Sequence, residues 1–221
     1  MLKRVASFLP ESFQIELRRF NHRRQISKGL FDSDEPEYGM LDKVVSPGDW
    51  CLDIGANVGF YTKRMSDIVG PSGRVIAFEP IPEAFYLLTA NARCFTHDNV
   101  TLINAAASDC FGIASMTVPD SDNGLPNYYE ASINGNGPGI PIITMPVDSI
   151  GIITRVSLVK IDTEGHERPV LAGMVNLIQR DMPTLIIETG SDMVISWLEE
   201  IGYRAEHLDG SPNYLFKPNC R

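Results

Sequence analysis

The sequence predicts an α/β protein built on a doubly wound, mainly parallel sheet with helices on both faces. Three observations carry that prediction. First, a short apolar run at Trp50–Ile54 turns on Gly55 and Gly59 and continues as a helix, with Val58, Tyr61, Met65 and Ile68 on one face. Second, apolar, β-branched runs return at 74–79, 100–104, 156–161 and 184–188, and helical patterns follow most of them. Third, acidic residues stand at the carboxyl ends of these runs, where open α/β sheets bind their ligands. The chain has 221 residues, enough for one large α/β domain and a modest extension.

In chain order, residues 1–30 read as helical, with Phe13, Leu17 and Phe20 at helical spacing and Arg18, Arg19, Arg23 and Arg24 around them. Residues 31–38 read as a polar linker. Met40 to Val45 is a short helix, closed by the Ser46-Pro47-Gly48-Asp49 turn. The strand at 74–79 stops at Pro80 and Pro82, and the next helix carries Phe85, Leu88, Ala92 and Phe95 on its core side. Residues 112–118 and 140–147 read as strands outside the βα rhythm. The stretch between them, 119–141, is rich in Gly, Pro and Asn and reads as a long irregular loop. A strand at 156–161 leads into one helix carrying Val170, Leu171, Met174, Val175 and Ile178. The chain closes with a strand at 184–188, a helix carrying Val194, Leu198 and Ile201, and strands near 203–208 and 213–217.

Composition narrows the function. A hydrophobic content of 43% and a charged content of 21% are ordinary for a globular protein. No run approaches the ~18 apolar residues of a membrane span, and the five-residue apolar stretch near the start is too short for a signal peptide. Cys51, Cys94, Cys110 and Cys220 show no metal spacing. Cys51 and Cys94 read as buried reduced thiols, which points to a cytoplasmic protein. Residues 1–30 hold seven Lys/Arg against two Glu, so the rest of the chain is more acidic than the net charge of −9 suggests. An acidic body speaks against nucleic-acid substrates, which need a basic face. The basic arm reads as a solvated helix face. It also offers a surface for an anionic partner, a membrane surface, the acidic body itself or a second copy of the chain.

The candidate site residues lie on the strand ends. Counting from Gly55, a dinucleotide fingerprint would need glycines at positions that Asn57 and Phe60 occupy, so the turn is acidic-x-Gly-x-Asn-x-Gly instead. Glu79, one strand away, has two oxygens suited to the two hydroxyls of a ribose. Ser108 and Asp109 follow the third strand and could read an adenine edge, or form an Asx turn. Asp162, Glu164, His166 and Glu167 crowd the end of the 156–161 strand as acid/base groups, as oxygen ligands for a hard cation, or as helix caps. Lys160 could pair with them, although strand alternation could also point it away. Tyr128 and Tyr129 offer flat surfaces for stacking on a sugar, which makes 119–141 a candidate lid.

These blocks resemble the FkbM-type S-adenosylmethionine-dependent methyltransferases over residues 37–217. The carrying segments are GDWCLDIGANVGFYT, GRVIAFEPIPEAF with the later Asn91, SLVKIDTEGHERPVLAGM and PTLIIE. The element running from Lys160 to Glu167 is the most specific of them. The resemblance implies a class I methyltransferase fold of seven strands with the last antiparallel. It also implies S-adenosyl-L-methionine as cofactor and methyl transfer to a hydroxyl of a sugar, glycan or secondary metabolite. On that basis Asp53, Gly55, Asn57 and Gly59 form the loop on the cofactor's methionine side, Glu79 holds the ribose, and Asp162 and its neighbours face the methyl group. His166 is then the first candidate for the base, with Asp162 orienting it or acting itself, and Glu164 nearby. No metal is predicted. Residues 1–36 would be a basic helical arm and linker, and 37–221 the methyltransferase domain. A non-catalytic cofactor-binding module and a nucleotide-cofactor oxidoreductase are the other two readings, the latter disfavoured by the glycine spacing.

Overall fold

The computed structural model describes residues 10–119, 127–133 and 137–219, apart from the side chains of Glu11 and Tyr129. Seven helices are described: α1 Glu11–Lys28, α2 Leu41–Val44, α3 Phe60–Val69, α4 Pro82–Ala92, α5 Glu167–Ala172, α6 Val175–Asp181 and α7 Asp192–Glu200. The main sheet uses β1 Trp50–Ile54, β2 Arg74–Phe78, β3 Val100–Ile103, β8 Val156–Ile161, β9 Thr184–Glu188, β10 Tyr203–His207 and β11 Asn213–Pro218. Its order is β10-β11-β9-β8-β1-β2-β3. Only β11 runs against its neighbours, pairing antiparallel with both β9 and β10. This is the seven-stranded class I arrangement that the resemblance implied.

Period-two alternation divides the core between the two faces of the sheet. Leu52, Ile76, Val159 and Leu185 pack under α5, α6 and α7 with Leu171, Ile178 and Leu198. Cys51, Val75, Leu158 and Ile186 pack on the other face with Tyr61, Met65 and Val69 of α3. Asp53 and Lys160 are register partners on adjacent strands and lie on that second face, under α3. Alternation therefore brings Lys160 into the cluster at the strand ends instead of away from it.

Two expectations need correction. The helix drawn across 167–178 is two helices, interrupted at Met174, whose φ of −131° leaves the helical range; at Gly173 just before it a side chain would come within 1.8 Å of the Ser108 carbonyl oxygen. The 110–150 region forms a second sheet, in the order β4-β7-β5-β6, from β4 Ala106–Ala107, β5 Gly112–Thr117, β6 Ser132–Ile133 and β7 Ile140–Met145. The described part of 119–141 is thus partly regular, with a 3₁₀ turn at Tyr128–Glu130 leading into β6. In α1 the Phe13, Leu17 and Phe20 stripe faces solvent, while Ile15 and Ile26 turn inward. Within the polar stretch 31–38, Phe31 is buried and stacks on Phe60, with ring centroids 4.2 Å apart.

The arm rests on α4. The Arg19 guanidinium donates to the Tyr86 hydroxyl at 2.6 Å, and that hydroxyl donates to Glu16 at 2.7 Å. His22 lies edge-on to Phe31, and burial, helped by nearby Arg18, pulls its pKa down to about 4. Cys51 is buried, Cys94 half-buried and Cys110 exposed, and all three are free thiols; Cys220 lies outside the described residues. No helix among the described residues is long and apolar enough to cross a membrane.

Candidate active site

The carboxyl ends of β1, β2, β8 and β9 open onto a cavity of about 470 Å³. At its centre is the turn after β1. Backbone N–H groups of Gly55 and Ala56 both donate to the Phe78 carbonyl, at 3.1 and 2.9 Å, and Asp162 N–H donates to the Ile54 carbonyl at 2.9 Å. The turn is thereby stitched to the ends of both neighbouring strands. Gly55 has φ +83°, and a Cβ there would lie 1.8 Å from the Asp162 carbonyl oxygen. The glycine is needed because β1 and β8 converge, so close ligand approach is not its first reason. Gly59 is also structural. It has φ +96° at the start of α3, and a Cβ would press on Leu88. Asn91 fixes the same turn by donating to the Val58 carbonyl at 2.8 Å.

Asp53, Gly55, Asn57, Glu79, Tyr128, Asp162, Glu164 and His166 all line this cavity. Glu79 is buried and accepts from the Asn57 N–H and the Ile81 N–H, both at 2.8 Å. One N–H per oxygen leaves each oxygen able to accept again, which suits a ribose diol. Burial lifts its pKa to about 7 against the opposing pull of those two N–H groups. Asp53 Oδ2 accepts from the Thr62 hydroxyl at 2.5 Å, whereas its Oδ1 and the Asn57 Oδ1 are buried with no partner. A buried acceptor without a donor is unfavourable by roughly 1–3 kcal/mol, so both oxygens call for a ligand donor.

Ser108 and Asp109 do not line the cavity. Ser108 Oγ donates to Asp109 Oδ1 at 3.2 Å and lies 3.0 Å from His166 Nε2. The three therefore meet one another beside the helix that follows β8, where the Ser108 backbone packs against Gly173. Burial lowers the His166 pKa, partly offset by Asp109 and Glu167. Glu167 is buried and caps its own helix start, accepting from Thr163 and from the Gly165 N–H. Tyr128 is only 8% exposed and has the Arg18 guanidinium 5.5 Å from its ring centroid, so its ring is already covered by the arm. The Tyr129 side chain lies outside the described residues.

At the β8–β9 end the possible pairing of Lys160 with the acidic cluster is realised, and Glu188 and Glu35 join it as residues that sequence reasoning missed. Lys160 is buried, donates to Asp162 Oδ2 at 2.8 Å and stands 4.3 Å from the Tyr61 ring centroid. Burial pulls its pKa down, but Asp162 and Asp53 outweigh that, and it stays above its ordinary value. Glu188 at the end of β9 lines the cavity. Burial first, and then the Asp162 and Glu164 carboxylates, push its pKa to about 7. Burial, then the Asp162 and Glu167 carboxylates, raise Glu164, which also has a left-handed backbone with φ +49°. Asp32, Ser33 and Glu35, from the segment after α1, complete the wall, with Glu35 accepting from the Tyr61 hydroxyl at 2.5 Å. Only the acidic ending of the PTLIIE block hinted at Glu188, and nothing local marked Glu35. Among the described residues, no group of three or more His, Cys, Asp or Glu side chains is arranged to hold a metal ion.

Fold and site together define a class I S-adenosylmethionine-dependent methyltransferase domain, and the cavity fits S-adenosyl-L-methionine as its cofactor. Glu79 suits the ribose, the small residues Ala105, Ala106 and Ala107 suit a flat base, and the orphaned Asp53 oxygen suits an ammonium. Residues 53–205 match the methyltransferase FkbM domain model, and the chain belongs to that family. It is 31% identical over 143 residues to the hexuronic acid methyltransferase AglP of Haloferax volcanii, covering 63% of this chain and 56% of that protein. It is 32% identical over 105 residues to a protein-L-isoaspartate O-methyltransferase of Triticum aestivum, covering 46% and 42%. The crystal structure of the methyltransferase FkbM from Methylobacillus flagellatus matches with a TM-score of 0.57 at 18% identity, over 90% of this chain and 59% of that one. At that identity the likeness speaks for the fold alone. The chain thus spans about half the length of the curated relatives it matches.

Proposed function

We propose that this protein transfers a methyl group from S-adenosyl-L-methionine to a hydroxyl oxygen of a sugar, a glycan or a related secondary metabolite. The observation that carries the reading is the acidic wall at the β8–β9 end, where Asp32, Glu35, Asp162, Glu164 and Glu188 line one cavity with a single buried, already paired lysine. Carboxylates accept hydrogen bonds from hydroxyl groups and repel anions. A polyol suits such a wall, whereas a free carboxylate suits it poorly. The sugar-directed relative supports the choice of acceptor. Its name also prompts the rival reading, methyl ester formation on a uronate, and the same holds for the isoaspartate enzyme.

When bound, the cofactor supplies an electrophilic methyl group, and the protein's part is to align an acceptor oxygen with it, to exclude water and to receive a proton. In this reading residues 37–221 are the methyltransferase domain. The arm before them closes the cavity through Asp32, Ser33, Glu35 and Arg18 on Tyr128. The test is incubation with methyl-labelled S-adenosylmethionine and matched panels of neutral glycosides and uronic acid glycosides. The label should appear as a methyl ether on a neutral or uronic sugar. Label found only as an alkali-labile ester would overturn the hydroxyl assignment.

A further inference from the structure

We propose that Glu188, beside Asp162 at the end of β9, is the catalytic residue that receives the proton of the acceptor hydroxyl. The inference rests on the methyl-transfer reading above and assigns its base to a residue that the motifs did not single out. Sheet order supplies the first argument. A ligand whose ribose sits on Glu79 at β2 can extend in two directions along the strand-end crevice. Toward β3 the wall is Ala105, Ala106 and Ala107, suited to an uncharged base. Toward β8 and β9 it is charged and holds the unpartnered Asp53 Oδ1, suited to a charged methionine tail. The reacting methyl group therefore belongs on the β8–β9 side. His166 also follows β8 and lines the cavity, but its Nε2 is engaged by Ser108 Oγ at 3.0 Å, whereas Glu188 stands beside Asp162.

The second argument is how the charges are shared. Ile161 and Ile187 are register partners, so Asp162 and Glu188 follow side by side, and both line the cavity. Lys160 is committed to Asp162 at 2.8 Å. Two neighbouring carboxylates with one cation between them divide the work: Asp162 keeps the ion pair, and Glu188 is left half-buried facing like charge. The groups facing it are Asp162 and Glu164 after β8, and Lys160 on β8, with Tyr61 of α3 and Glu35 of the arm beyond. A carboxylate that burial, and then neighbouring like charge, holds well above its usual range can accept a proton near neutral pH, which general base work requires. The burial and like charge around Glu188 make it the proton-accepting member. In the step, the hydroxyl proton ends on a Glu188 oxygen and the freed lone pair makes the O–CH₃ bond. The electron pair of the methyl–sulfur bond departs with the thioether product.

The test combines a titration that needs no acceptor with a kinetic comparison. In ¹³C-carboxyl-labelled protein bound to S-adenosylhomocysteine, the resonance absent from Glu188→Gln should titrate near neutrality, at about 7. With a hydroxyl acceptor, Glu188→Gln should lower kcat by roughly 10²–10⁴-fold while the cofactor Kd stays at the wild-type value. The rise of kcat with pH through the same value should persist in His166→Asn and vanish in Glu188→Gln, and Glu188→Asp should restore part of the rate. A Glu188 resonance titrating like an ordinary glutamate, or a Glu188→Gln enzyme with wild-type rate and pH limb, overturns the assignment. Failure of the acceptor class shows separately, as a wild-type enzyme that binds cofactor and methylates no hydroxyl.

Discussion

The two ends of the cavity are built on opposite principles. At the β1–β2 end one buried carboxylate, Glu79, is answered by two backbone N–H groups from its own and the adjacent turn. At the β8–β9 end Asp162, Glu164, Glu188 and Glu35 gather from three separate stretches of chain around one buried lysine. At the first end the Glu79 carboxylate is held by the protein before a ligand arrives, and the buried Asp53 and Asn57 oxygens wait for the ligand's donors. The second is half-buried and crowded with like charge; burial first, and then the neighbouring carboxylates, raise the pKa of Glu164 and Glu188. A cradle should have its acceptors fixed in advance, whereas proton transfer needs a group poised between two states.

The comparison can be broken most severely at the glycine that joins the two ends. Gly55→Val would drive a side chain into the Asp162 carbonyl and force a β-branched residue to φ +83°. We expect loss of the cooperative unfolding transition, or a melting temperature lower by tens of degrees, by circular dichroism. A stable variant lacking only cofactor binding would instead mean that the glycine serves the ligand.

A smaller effect is expected from Lys160→Met, which leaves Asp53 and Asp162 without their cation. Breaking a buried pair typically costs about 3–5 kcal/mol, and Asp162 is 33% exposed, so the lower part of that range applies. Urea unfolding measures it. A change under 1 kcal/mol would mean that solvent already screens the cluster.

The mildest change sharpens the contrast at the cradle. Glu79→Ala should weaken S-adenosylmethionine binding by ~1–3 kcal/mol in isothermal titration, with the fold retained. Its pH dependence has a definite sign. The folded-state pKa of about 7 lies above the ordinary glutamate value, so its contribution to stability of the free protein is complete below that ordinary value. It is lost as pH rises through 7. Ribose hydroxyls favour the ionised form, so cofactor affinity should rise across the same window. Equal affinity at pH 5.5 and 8, or the same pH slope in Glu79→Ala, would remove Glu79 from the ribose.

Local sequence determined most of the fold and the cradle. Strand runs, the Gly55–Gly59 turn and the Glu79 strand end were legible because each depends on residues close together in the chain, with period-two or period-3.6 patterning. The second sheet was half legible: its two long strands alternate, but β4 and β6 are two residues each and exist only through their pairing with β7 and β5. Ser108 and Asp109 were placed correctly after a strand, yet their direction was set by the contact between Ser108 and Gly173, which no local pattern encodes. The same is true of α1, whose apolar stripe faces outward because Arg18, Arg19 and His22 find partners on Tyr128, Tyr86 and Asn91. At the β8–β9 end the crowding of Asp162, Glu164 and His166 was legible, while the arrival of Glu188, Tyr61 and Glu35 beside them was decided by tertiary structure. Glu35, Tyr61, Lys160 and Glu188 are far apart in sequence, and their charges influence one another only where parallel pairing and burial bring them into a region of low dielectric.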